Sequence, residues 1–149
     1  MDDKYKIYNL INQKKSLFLV GETNSGKTYF VINELIPFLK EKNIKVTYFS
    51  DCDSIIIVPK EGIAIIDEVE TFQDKNYLEK TNVKENLYYT DSYIKKVKDW
   101  FKKLKKVKIP TIYITTRNGK KEIRYFVDNV KTTDWDERKV NVIIFSRRN

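Results

Sequence analysis

The chain has 149 residues, 41 % apolar and 34 % charged, which is enough apolar side chain for one folded core and too much for a disordered tail. A single cysteine, Cys52, and no histidine exclude internal disulfides, cysteine zinc sites, imidazole metal sites and both Ser-His-Asp and Cys-His catalysis. The formal charge of +8 is uneven, with −3 over residues 1–94 and +11 over residues 95–149, and argues for an anionic partner without specifying a fold.

The length predicts one domain over residues 1–149. Residues 1–6 lack the apolar centre of a signal peptide, and no apolar run approaches the roughly 20 residues that span a bilayer. A soluble, cytoplasmic protein without a membrane segment is expected. Short apolar runs then alternate with helical patterns, as in an α/β domain with a parallel sheet. Residues 17–20 (Leu-Phe-Leu-Val) predict a first strand. Residues 28–42 predict a helix, with Phe30, Val31, Ile32, Leu35 and Leu39 near helical spacing and Pro37 as a kink or boundary. Residues 45–50 predict a second strand. Residues 54–58 fit a short strand or one turn of helix: their four consecutive β-branched side chains favour strand, while the crossover demands something compact. Residues 62–66 predict a third, central strand, 110–115 a fourth and 140–145 a fifth. Between the third and fourth, residues 69–91 are polar and acidic and residues 92–108 predict a basic helix that Pro110 ends.

Between the first strand and its helix, Gly21-Glu22-Thr23-Asn24-Ser25-Gly26-Lys27-Thr28 matches G-x-x-x-x-G-K-[ST], a phosphate-binding loop. The glycines let backbone N–H groups curl round phosphates, Lys27 reaches the β- and γ-phosphates, and the Thr28 hydroxyl is a ligand for Mg²⁺. The third strand ends in Asp67-Glu68. In P-loop enzymes a first carboxylate there holds the metal and a second polarises water, so Asp67 is the candidate metal residue and Glu68 the candidate catalytic one. The fourth strand ends in Thr115-Thr116-Arg117-Asn118. If it lies beside the first, Thr116 or Asn118 is placed to meet a γ-phosphate or the attacking water. An ordinary strand exit with an Asn118-Gly119 turn accounts for these residues equally well.

Together these stretches resemble AAA+-type P-loop ATPases, most of all the superfamily 3 helicases of small viruses and mobile elements. Residues 17–30 are similar to that family's first motif, 35–39 to the apolar segment after it, and 109–118 to its third motif, a strand ending in a sensor asparagine, here Asn118 with Arg117 extra before it. Trp135-Asp136-Glu137-Arg138 before Val142-Ile143-Ile144-Phe145 is similar to the family's tryptophan–arginine–aromatic ending. The resemblance implies a three-layer P-loop NTPase fold with a mostly parallel sheet of about five strands. It implies Mg²⁺-dependent ATP hydrolysis coupled to nucleic-acid binding or remodelling in viral or mobile-element replication or packaging, and a homo-oligomer in which Arg138, or else Arg124, reaches a neighbour's nucleotide. ATP is preferred to GTP also because no Asn-Lys-x-Asp guanine motif is present.

Residues 95–108 hold eight lysines (Lys95, Lys96, Lys98, Lys102, Lys103, Lys105, Lys106 and Lys108) against Asp99, while Ile94, Val97, Phe101 and Leu104 form one apolar stripe. The lysine face fits a solvated surface, a track for nucleic-acid phosphates with Tyr93 and Trp100 as stacking residues, or an anionic membrane surface. Two rivals to an ATPase are a nucleoside or nucleotide kinase, which needs an arginine-bearing lid that residues 69–91 do not offer, and a non-catalytic module that uses nucleotide to order an interface.

Overall fold

An uninterrupted apolar run has no polar face to turn to water, so such runs pair into a sheet that is covered on both sides. The structure, a computed structural model, describes residues 2–22, 25–51, 54–69, 91–116, 120–130 and 141–145. Five strands, β1 (Leu17–Val20), β2 (Val46–Phe49), β3 (Ile63–Ile66), β4 (Thr111–Thr115) and β5 (Val142–Ile144), form one sheet in the order β2-β3-β4-β1-β5, with every neighbouring pair parallel. Helices α1 (Asp3–Asn12), α2 (Lys27–Phe30), α3 (Ile36–Glu41), α4 (Asp91–Lys105) and α5 (Lys120–Val130) flank it, giving a three-layer α/β fold. The strand order is compatible with a P-loop NTPase-like fold, and β4 does lie beside β1, Leu17 facing Ile112 and Val20 facing Thr115.

Strand alternation sends successive side chains to opposite faces and builds two cores. Phe18, Val20, Phe49, Ala64, Ile66 and Tyr113 pack against Phe101 and Leu104 of α4 and Ile123, Phe126, Val127 and Val130 of α5. Leu17, Leu19, Ile63, Ile65, Ile112, Ile114 and Ile143 pack against Ile7 and Ile11 of α1 and against Phe30, Val31, Leu35 and Leu39. Two of these helices, α1 and α5, go beyond the elements expected from sequence. Asp2 caps α1, its carboxylate accepting from Lys4 N–H at 3.3 Å.

Pro37 does not end the helical stretch that follows β1, but the α-helix is interrupted just ahead of it. It lacks the N–H that would bond to the Asn33 carbonyl and its ring crowds that group. The chain widens just ahead of it into a π-helical segment, Val31–Leu35, where Ile36 N–H bonds back to Val31 O, and α3 continues to Glu41. Ile32, expected on the apolar stripe, is exposed. The strand favoured over residues 54–58 does not form. Only Ile55 of its isoleucines enters the core, while Ile56 and Ile57 are 87 % and 80 % exposed, because Ser54 is tied back to Asp51 through both its N–H and its hydroxyl. Among the described residues no helix is long and apolar enough to cross a membrane.

Candidate functional site

Parallel strands end on the same side of a sheet, so the exits of β1, β3 and β4 share one edge, the place where open α/β sheets present loops to ligands. At that edge Gly21 N–H donates to Thr115 O at 3.1 Å, fastening the start of the glycine-containing loop to the end of β4. Gly21 sits in a tight space bounded by side chains. A Cβ there would meet Lys27 Cδ and Ser25 Oγ at 3.0 Å and Phe145 Cβ at 3.4 Å. Gly26 is required by conformation, with φ of +89° where the loop enters α2.

Gly21 lies against the Lys27 side chain. Lys27 is 8 % exposed, and its ammonium donates to Gly21 O at 2.8 Å. Among the described residues no carboxylate pairs with it, so a buried full charge is held by a neutral carbonyl, an arrangement that attracts an anion. The Ser25 hydroxyl is buried beside it with no hydrogen-bond partner among the described residues. Glu22 is exposed at the rim.

Across the edge from the loop, Thr28 Oγ1 donates to Asp67 Oδ2 at 3.2 Å, joining the first turn of α2 to the residue that follows β3. Asp67 is 6 % exposed. Its Oδ2 also accepts from the Tyr48 hydroxyl at 3.1 Å, and its Oδ1 accepts from Glu68 N–H at 2.8 Å. Glu68 carries φ of +58°, a left-handed conformation costing a non-glycine residue about 1–2 kcal/mol, and its side chain is exposed. The Tyr48 phenol is pushed up to about 12, first by burial, then by the charge of Asp67 and the hydrogen bond to it, with smaller contributions from Glu68 and Asp51.

The donor set suits a polyphosphate with a hard cation. A buried ammonium and a buried hydroxyl are donors of the kind that phosphate oxygens accept from, and Thr28 and Asp67 carry oxygens of the kind that could hold Mg²⁺. Among the described residues no cluster of three or more His, Cys, Asp or Glu side chains gathers, at this edge or elsewhere.

The structure thus brings Gly21, Ser25, Gly26, Lys27, Thr28, Asp67 and Glu68 to one edge. Thr23, Asn24, Asn118 and Arg138 lie outside the described residues, as do Arg117 and Trp135. Thr116 is half-buried at the exit of β4. Arg124 is exposed on α5. In α4 Phe101 and Leu104 are buried as expected, Trp100 packs partly into the same core, and Lys95, Lys98, Lys102 and Lys105 are exposed. Tyr48 is the addition that sequence reading missed. Nothing local marks it, since it reaches Asp67 only through the pairing of β2 with β3. No protein-family model matches the chain, and neither the curated proteins nor the solved structures contain a match to it.

Proposed function

We propose that the chain binds ATP with Mg²⁺ at this edge and hydrolyses it, acting as an ATPase core of AAA+ type similar to superfamily 3 helicases. One observation carries the reading. The hydroxyl that ends the glycine-containing loop meets a strand-end carboxylate 39 residues away at 3.2 Å, and the lysine just before it, Lys27, is buried. A solvated surface turn has no need to bury a lysine or to join a threonine to an aspartate.

In this reading the amides of Gly21, Glu22, Thr23, Asn24, Ser25 and Gly26 cradle the phosphates, and Lys27 exchanges the Gly21 carbonyl for phosphate oxygens. Thr28 and Asp67 hold Mg²⁺, which when bound neutralises charge on the phosphates. Glu68 orients the attacking water and accepts its proton. Asn118 senses the γ-phosphate, and Arg138, with Arg124 as second choice, completes the site of the next subunit in a homo-oligomer. The exposed lysines of residues 95–108 track the phosphates of a nucleic acid, whose replication or packaging the hydrolysis serves.

The test is ATP turnover and fluorescent ATP-analogue binding by the wild type and Lys27→Ala, with and without single- and double-stranded DNA. Removing the ammonium is expected to lower turnover by on the order of 10²–10³-fold, and DNA to stimulate the wild type. Wild-type turnover in Lys27→Ala overturns the site assignment. Turnover indifferent to DNA, with DNA binding indifferent to salt, overturns the nucleic-acid role.

A further inference from the structure

We infer that Tyr48 is a positioning residue for Asp67, its hydroxyl fixing the carboxylate that the site needs to take Mg²⁺ together with a nucleoside triphosphate. The inference rests on the nucleotide-binding reading above. Tyr48 sits in β2, at the margin of the sheet, and pairs with Ile65 in β3, so its ring stands beside the strand whose exit carries Asp67. Its hydroxyl donates to Asp67 Oδ2 at 3.1 Å, while Thr28 Oγ1 donates to the same oxygen at 3.2 Å and Glu68 N–H to Oδ1 at 2.8 Å. Three donors from three separate segments therefore hold one carboxylate. With Oδ1 engaged by the turn and Oδ2 by β2 and α2, rotation about the carboxylate bond breaks at least one hydrogen bond in either direction.

The arrangement has a specific consequence for Thr28. A hydroxyl that turns an oxygen lone pair to a cation still has one proton to give, and Asp67 Oδ2 is where that proton goes. Tyr48 keeps Oδ2 in place to receive it. Outer partners of this kind orient metal-binding groups, and their loss costs about 10–100-fold in metal affinity. The ring of Tyr48 is half-buried against the aliphatic core, so a phenylalanine retains its packing and deletes one hydroxyl.

The experiment titrates Mg²⁺ into wild type and Tyr48→Phe with a fluorescent ATP analogue, reading nucleotide affinity in EDTA, the Mg²⁺ concentration at half-maximal tightening, and the metal-free thermal midpoint. The expected result is a Mg²⁺ midpoint raised about 10-fold in Tyr48→Phe, with unchanged affinity in EDTA and a metal-free thermal midpoint lowered only by the loss of one hydrogen bond. An unchanged Mg²⁺ midpoint overturns the inference alone, and so does a loss of affinity that is equal with and without Mg²⁺. A wild type whose analogue binding does not respond to Mg²⁺ overturns the nucleotide reading and the inference with it.

Discussion

The two faces of the sheet are filled with different side chains and carry different surfaces. Under α4 and α5 the core is aromatic, with Phe18, Tyr113, Phe101 and Phe126 packed at ring separations from 4.9 to 6.1 Å. Under α1, α2 and α3 it is mostly aliphatic, with Leu17, Leu19, Ile65, Ile112 and Ile114 against Val31, Leu35 and Leu39 and Phe30 as its buried aromatic residue. The aromatic side supports the lysine-rich helix, and the aliphatic side supports the helix that opens at the glycine-containing loop. Both faces come from the same short strands, Leu17 and Leu19 pointing one way and Phe18 and Val20 the other. The sheet therefore separates the candidate polyanion surface from the candidate phosphate loop by one layer of backbone. A change confined to one face should leave the other's binding intact as long as the protein stays folded.

The largest effect expected from breaking this partition is on stability. Phe126 is fully buried and touches the rings of Phe18, Phe101 and Tyr113, so Phe126→Ala should cost about 3–5 kcal/mol by chemical denaturation. Nucleotide affinity measured on the protein that remains folded should not change, and a drop there would show that the faces are coupled. A smaller effect is expected at the basic surface. Lys95, Lys98, Lys102 and Lys105 form an exposed row at i, i+3, i+7 and i+10 of α4. Replacing all four with glutamine should weaken single-stranded DNA binding and flatten its log–log salt dependence by about 0.7 for each lysine that meets a phosphate. ATP-analogue affinity without DNA should stay at the wild-type value, and an unchanged salt slope would reduce the row to a solvated surface.

The smallest effect is a pH dependence on the loop side. The Tyr48 phenol is raised in the folded protein to about 12, chiefly by burial and then by Asp67. A raised folded-state value means that the neutral phenol is favoured by folding. Its stabilising contribution is then complete below the unfolded value of about 10 and is lost as pH rises through the folded one. Denaturation of wild type and Tyr48→Phe between about pH 10 and pH 12 isolates it as the difference between the two proteins. The wild type should lose stability relative to the variant over that window, and a constant difference would rule the contribution out.

How far each part could be read from sequence follows from how local its cause is. The runs at residues 17–20, 63–66 and 112–114 are apolar without interruption, which burial on both faces demands, and all three lie in strands. Run and burial part company at residues 55–58, where β-branched side chains favour extension but Asp51 and Ser54 close a turn and leave Ile56 and Ile57 in solvent. Helix α1 offers Ile7, Leu10 and Ile11 at i, i+3 and i+4, a stripe of little more than one turn that is too short to specify a helix. Helix α5 carries Ile123, Phe126, Val127 and Val130 at full helical spacing, a signal that a search for chemical motifs passes over. Lys27, Thr28 and Asp67 were legible as candidates because backbone geometry ties them to a glycine pattern and to a strand end. Tyr48 was not, because its partner lies on another strand.

By itself the sequence determined which chemical groups the chain carries and in what order. These are a glycine-containing loop with Lys27 and Thr28, a carboxylate pair at the end of an apolar strand, and a lysine-rich helix with one apolar stripe. Turn conformation and side-chain periodicity are properties of neighbouring residues, so they survive without knowledge of the fold. Only the tertiary structure decided which groups meet. The insertion of β4 between β1 and β3 brings its exit to the loop, the docking of α2 carries Thr28 to Asp67, and the pairing of β2 with β3 carries Tyr48 to the same oxygen. Those meetings depend on strand order and register, which the packing of whole layers selects and no short stretch of residues encodes.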